Sequence, residues 1–340
     1  MKALFVAPVS VGAIIHTLPM LPALTRKGWE VTILTKSSAA AFLAGHPQVA
    51  AVVTAPRTLR LGGTLGVVED LRERGFDVAF DLKGVWSTAA WARFSRPQRT
   101  IGHAGPWRRN PLSALLISEP VDVPEDVRHV VDRNLSLLRA VGADAIGLRE
   151  FPLPSSESES AKTEHFLREN ASENYVLLCP GGAWSSRLWS AQGFGEVARG
   201  LKDRGMTSLV SHEPGEERLA ETVVAASEGT AKACPPTSLR GFMEFARRSR
   251  VVVAADTGAL HLACAMGVPV VGIYGPTDPT SSGPFDPRDV VVRRTPLCAP
   301  CFKNRCKIHD GVMEAITPPD VIRAIERRVG AASAQRGLAV

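Results

Sequence analysis

What most limits the fold of this chain is a rhythm: short runs rich in β-branched residues alternate with longer stretches of helical periodicity, and the alternation runs twice. In the first half, Ala3 to Ala7, Glu30 to Thr35, Val49 to Thr54, Asp77 to Asp81 and Arg99 to Gly102 read as strands. Helical patterns such as Leu65 to Arg74 and Asp126 to Val141 accompany them. In the second half, Tyr175 to Cys179, Thr207 to Ser211, Arg250 to Ala255 and Val268 to Tyr274 repeat the pattern. Strands joined by helix-length connections cannot pair as hairpins, so each half predicts a parallel sheet with helices on both faces, an α/β class.

Between the halves, Phe151 to Lys162 carries two Pro and the run Ser155 to Ser160 without apolar periodicity. This predicts a linker and divides the chain at residues 1–154 and 155–340, which suits a length of 340. The tail after Gly330 is expected to fray. A net charge of +6 suits an anionic small molecule or lipid head group. With only two Tyr and no dense basic run interleaved with aromatics, nucleic acid is not an expected partner. Met1 to Ile15 superficially resembles a secretory signal, but Pro8 and Gly12 interrupt it. The most apolar stretch, Val251 to Tyr274, contains Asp256 and His261, so it does not read as a membrane span. Six Cys are too few for a disulfide scaffold, which points to a reducing, cytoplasmic setting.

Ligands of open α/β sheets sit beyond the carboxyl ends of the strands, so the residues after each strand are the ones to inspect. Four loops stand out: Pro8 to Gly12, Asp81 to Gly84, Pro180 to Arg187, and Asp256 to Gly258. Two fall in each half, so a joint site is expected in a cleft between the domains. Thr257 and Gly258 open a helix whose free N–H groups suit a phosphate, although Asp256 could equally be no more than that helix's cap. Gly181 and Gly182 form a second phosphate-loop candidate, with Arg187 as the cation for a pyrophosphate, or else a tight turn with a solvated Arg. Neither loop matches a P-loop or a dinucleotide fingerprint. Glu216 and Glu217 follow another strand and could hold a ribose diol or simply start a helix. His16 and His261 lie on the helices after the first loop and after Gly258. Cys298, Cys301, Cys306 and His309 offer Cys-x2-Cys-x4-Cys-x2-His, which suits structural zinc or iron, or else leaves three reduced thiols in an ordered loop.

Taken together, these residues resemble the ADP-heptose:lipopolysaccharide heptosyltransferases, glycosyltransferase family 9. The resemblance runs through Gly12, His16-Thr17-Leu18-Pro19, Phe76 to Gly84 and Arg99 to Gly102. It is most specific at Gly182-Ala183 with Arg187 and Trp189, at Asp256 to Ala263, and at Gly275 to Pro279; the Cys298 to His309 segment and Ile316-Thr317-Pro318 extend it. It implies a GT-B fold of two Rossmann-like domains facing each other across a cleft, and inverting transfer of heptose from ADP-heptose to the inner core of lipopolysaccharide. No cofactor is required by that reaction. It implies a cytoplasmic protein in peripheral contact with the inner membrane. Donor-binding roles fall to Gly181, Gly182, Glu216, Glu217, Thr257, Gly258 and His261, and acceptor-side roles to Gly12, His16 and Lys83. Arg187 and the helix start at Thr257 to Gly258 would stabilise the leaving pyrophosphate, and Asp256, counted with Arg187 and Asp81 among the catalytic residues, would help His261 hold the donor. Lys83, Arg93, Arg108 and Arg109 would attract an acidic acceptor.

Three positions depart from the family pattern. Ala13 stands where the family carries its probable catalytic base, an Asp, which leaves Asp81 or His16 as the candidates to take the acceptor proton. Arg187 replaces a frequent Lys, and Val312 stands where many members have a fourth Cys. Ala13 also keeps two other readings open: a sugar-nucleotide epimerase of the same fold, and a silent nucleotide-sugar-binding subunit.

Overall fold

The computed structural model describes all residues except 8–9, 57–60, 171–173, 302, 307–310 and 337–340. The chain divides into two compact units, Met1–Pro154 and Ser155–Val340. Each is built on a six-stranded parallel sheet.

In the first unit the strands are β1 (Lys2–Val6), β2 (Glu30–Thr35), β3 (Ala51–Thr54), β4 (Val78–Asp81), β5 (Arg99–His103) and β6 (Glu119–Val121), in the spatial order β3-β2-β1-β4-β5-β6. The second contains β7 (Tyr175–Cys179), β8 (Thr207–Val210), β9 (Ala231–Ala233), β10 (Val251–Ala255), β11 (Val270–Tyr274) and β12 (Val290–Arg293), ordered β12-β11-β10-β7-β8-β9. Counted from its own first strand, each sheet runs 3-2-1-4-5-6, the doubly wound order of dinucleotide-binding folds. In that order the connections change direction between the first and fourth strands. The crevice this opens lies between β1 and β4 in one unit, and between β7 and β10 in the other.

Central strands are strands because helices bury both of their faces. All five residues of β7 and of β10 are buried, which selects unbroken runs such as Val251-Val252-Val253-Ala254-Ala255 over alternating ones. The helix Ala191–Lys202 shows the complementary pattern: Phe194, Val197, Ala198 and Leu201 share its buried face, and the Ser190 hydroxyl caps it by accepting from Gly193 N at 3.0 Å.

Three expectations need correction. The Ser–Glu run is not an extended linker, because Glu157–Asn170 is a helix. Glu157 and Glu159 complement its amino-terminal dipole, Thr163 is buried, and Phe166 meets Phe245 edge-on at 5.6 Å. The helix expected over Asp126 to Val141 starts at Val130, where the His129 ring accepts from Val131 N, and tightens to 3-10 geometry from Leu137. The carboxyl-terminal helix Pro318–Arg336 continues past Gly330, where fraying was expected. Among the described residues, no helix is long and apolar enough to cross a membrane.

Candidate active site

In the second unit the loops after β7, β8, β10 and β11 converge at the carboxyl edge of the sheet. Asp256, 4% exposed, follows β10. Its Oδ2 accepts from Arg187 Nη1 at 2.8 Å, and its Oδ1 lies 3.2 Å from His261 Nε2. Asp256 therefore does not cap the helix Gly258–Ala265: Thr257 occupies the cap position and its hydroxyl makes no capping bond. Burial alone would raise the Asp256 pKa, but the contact and charge of His261, the charge of Arg187 and the Thr277 hydroxyl outweigh it and hold the carboxyl below its usual value. The site is thus arranged around a permanent anion that orients two nitrogen groups.

Arg187 lies flat over Trp184, its guanidinium carbon 4.2 Å from the ring centroid. The stack and the Asp256 contact leave few rotamers open to a side chain that is 17% exposed. Its Nε and the Thr257 hydroxyl are buried without a partner among the described residues. Two buried donors with nothing to donate to are costly unless a ligand accepts from them. Beside them, a pocket of about 100 Å³ is lined by Arg187, Asp256, Thr277, Asp278, Ser281 and Ser282, with Pro300 at its rim. That is room for the phosphate end of a ligand, below the roughly 300–1,000 Å³ of a whole small-molecule site. A shallower depression of about 400 Å³ runs along β12 and takes in none of these loops.

The glycines act through close approach. A Cβ on Gly182 would stand 2.6 Å from Thr257 Cγ2, and one on Gly181 would strike the Glu216 carboxylate. The constraint is firm at Gly182, which lies against Thr257 and Leu188, whereas at Gly181 the Glu216 carboxylate is a side-chain end that could swing aside. The same contact separates the two glutamates. Glu216 reaches the phosphate-loop candidate, whereas Glu217 is exposed and accepts from Gly215 N with both oxygens at 3.0 Å. Glu217 is occupied within its own turn and does not join the site.

The Cys segment braces these loops. Ser186 Oγ donates to Lys303 O at 2.6 Å, Ser186 N donates to Asn304 O at 2.9 Å, and Cys301 N donates to Pro276 O at 2.8 Å. Cys298, Cys301 and Cys306 are free thiols. Among the described residues no three metal-capable side chains come together, and His309, the fourth expected ligand, lies outside them. The described donors do not fit an ion, so no step is assigned to one.

In the first unit, Pro8 and Val9 of the first loop lie outside the described residues. Gly12 is buried and Ala13 half-buried on the short helix Val11–Ile15. His16 follows, 6% exposed and edge-on to His129 with ring centroids 6.1 Å apart. Lys83 is half-buried, and burial together with Arg109 and Lys36 lowers its pKa. This edge of the sheet is accordingly cationic.

Asp81 does not fit the role of proton acceptor. Its side chain is fully buried, its Oδ2 accepts from Arg108 Nη2 at 2.7 Å, and its Oδ1 accepts from the Thr88 hydroxyl at 2.5 Å and from Gly84 N at 3.1 Å. Nor can Arg108 attract an acceptor, because its side chain is 1% exposed and also donates to Ser113 Oγ and His103 O. This pair went unnoticed in the sequence because its members lie 27 residues apart. A trace of it is legible at Gly84, whose φ of 65° and lack of a Cβ let the Arg108 backbone pass.

The family model of glycosyltransferase family 9 (heptosyltransferase) matches residues 65–310. Lipopolysaccharide heptosyltransferase 1 of Pseudomonas aeruginosa is 28% identical over 318 residues, covering 90% of this chain and 87% of that protein. Among solved structures, a family 9 glycosyltransferase from Veillonella parvula superposes with a TM-score of 0.78 at 18% identity, covering 96% of this chain and 97% of that one. The E. coli heptosyltransferase WaaC with ADP gives 0.70 at 24%, covering 97% and 98%. Two doubly wound sheets of the heptosyltransferase kind, and a match spanning most of the chain, lead to one assignment: the chain belongs to glycosyltransferase family 9, the heptosyltransferases.

Proposed function

We propose that this enzyme transfers heptose from ADP-heptose to an inner-core lipopolysaccharide acceptor, with the donor held by residues 155–340 and the acceptor by residues 1–154. The observation that carries the donor half is the constellation of Arg187, Asp256, His261 and Thr257, with unpartnered buried donors on Arg187 and Thr257 and a pocket of phosphate size lined by Arg187 and Asp256. The identity of donor and acceptor rests on the relatives: proteins that match nearly end to end are lipopolysaccharide heptosyltransferases, and one solved neighbour is a heptosyltransferase with ADP. A lipid-linked acceptor places the reaction at the cytoplasmic surface of a membrane.

In this reading the acceptor hydroxyl attacks the anomeric carbon in line, the carbon–oxygen bond to the diphosphate breaks, and ADP leaves. Negative charge grows on the leaving diphosphate. Arg187 and the N–H groups that open the helix Gly258–Ala265 are placed to stabilise it, while Asp256 holds Arg187 and His261 in orientation. Gly181 and Gly182 admit the diphosphate close to the backbone, and Glu216 meets the ribose diol. Gly12, His16 and Lys83 belong to the acceptor side.

The attacking hydroxyl must lose a proton, and the side chain at position 13 is a methyl group. With Asp81 committed to Arg108, His16 is the remaining candidate of the two; unless it takes the proton, turnover is expected to be slow or absent while donor binding persists. A catalytically silent nucleotide-sugar-binding subunit is therefore the second reading, favoured by Ala13 alone. Calorimetry with ADP-, GDP- and UDP-sugars tests the donor assignment: ADP-heptose should bind tightest, and a preference for UDP-sugars would overturn it.

A further inference from the structure

From residue 82 to residue 118 the chain contains no Asp or Glu, yet it carries six cations and three of the protein's six Trp. Two of the cations are neutralised by carboxylates outside the stretch, Arg99 by Glu119 and Arg108 by Asp81. Arg93 and Arg96 are exposed and have no carboxylate partner among the described residues. This stretch forms the helix Trp86–Phe94 and the 3-10 segment Pro111–Leu116, which pack against each other.

The outward face of the 3-10 segment is apolar. Leu112 and Leu115 are 65% and 80% exposed. Residues three apart eclipse on a 3-10 helix, so both leucines point the same way, while Ser113 on another face is buried against Arg108. On the neighbouring helix Trp86 is 43% exposed and lies one heptad before Arg93, on the same stripe. Exposed leucines on a segment packed against the helix that carries Trp86 and the unpaired Arg93, in a stretch of chain without acids, give a surface whose apolar part seeks acyl chains and whose charge seeks phosphate. Scattered exposed leucines need no explanation, but two stacked on one turn within an acid-free stretch do.

We propose that the surface carrying Trp86, Leu112 and Leu115, flanked by Arg93 and Arg96, docks the protein on an anionic phospholipid bilayer. The inference deepens the reading of a lipid-linked acceptor by naming the face that meets the membrane, but its observations are independent of sugar transfer. Each Lys or Arg near such a surface strengthens attachment roughly fivefold, and the leucine side chains add apolar burial.

The test is co-sedimentation of the full-length protein with vesicles of phosphatidylcholine and phosphatidylglycerol in equal parts, compared with phosphatidylcholine alone. The wild type should pellet with the anionic vesicles and largely stay in solution with the neutral ones. The double variant Leu112→Ser/Leu115→Ser should bind about tenfold more weakly or worse, and Arg93→Glu/Arg96→Glu should lose the preference for anionic lipid. All forms should keep the same affinity for ADP, which checks folding and keeps the donor assignment separate. Wild-type protein that ignores both vesicles, or a leucine variant that binds as well as the wild type, would overturn the proposal. So would a wild-type dimer that the leucine substitutions dissolve, because the face would then belong to a second copy of the chain.

Discussion

Replacing Arg187 by Ala is expected to weaken ADP binding without unfolding the protein, and the structure sets the size of the loss. The guanidinium is held by the Trp184 face at 4.2 Å and by Asp256 at 2.8 Å, so little entropy remains to be lost when a diphosphate binds. A charge-assisted hydrogen bond contributes about 1.5–3 kcal/mol, or roughly 10- to 150-fold in affinity. The loss should fall toward the upper end, because the substitution also strips a counter-charge from Asp256, whose side chain is 2% exposed and would then repel the incoming phosphates. Arg187→Lys keeps the charge but forfeits the planar stack and the forked donors, so it should lose less. Titration calorimetry with ADP reads both variants. An unchanged dissociation constant for Arg187→Ala would show that this side chain does not meet the diphosphate.

Installing Asp at position 13 should raise heptosyl turnover by about two decades or more if a general base is missing there, with ADP affinity unaltered, as read by steady-state assay. Full activity of the natural protein, indifferent to Ala13→Asp and abolished by His16→Asn, would locate the base at His16 instead. Arg108→Ala should lower stability by about 3–5 kcal/mol in urea unfolding, since it leaves the fully buried Asp81 carboxylate without its cation. The folded-state pKa of Asp256 lies below the ordinary 3.8, so its contribution to stability is fully present above that value and is lost as pH falls through the lower, folded-state value. Urea midpoints taken down to about pH 3 should fall further in the wild type than in Asp256→Asn, which keeps the losses from Asp132, Asp286 and Asp320, and parallel curves would contradict it.

The parts of the fold legible in the sequence are those buried on both faces. Val251 to Ala255 and Tyr175 to Cys179 announce themselves as unbroken apolar runs, and the loops after them follow from the rule that ligands collect at the carboxyl ends of strands. Two edge strands escaped for the opposite reason. Glu119–Val121 and Ala231–Ala233 are three residues each, half exposed, and contain Pro120 and Lys232, so neither periodicity nor composition marks them. The Ser–Glu helix was hidden because a surface helix needs only a narrow buried stripe, here Thr163 and Phe166. Within the site, the residue types were readable but their partners were not. Asp256 pairs with Arg187 across 69 positions and Asp81 with Arg108 across 27, and only the fold brings them together. Glu216 and Glu217 are adjacent and chemically identical in sequence, and the path of the chain around Gly215 decides which one faces Gly181.

As a family 9 glycosyltransferase, this chain is expected to move a sugar from a nucleotide donor to an acceptor. Mass spectrometry of a reaction containing ADP-heptose and a heptose-free inner-core acceptor, run with the natural protein and with Ala13→Asp, tests it most directly. The expected products are an acceptor heavier by one heptose and an equal amount of ADP, formed slowly or not at all with Ala13 and readily with Ala13→Asp. An isomerised nucleotide sugar with no ADP released, or no product from either form despite tight ADP binding, would contradict it.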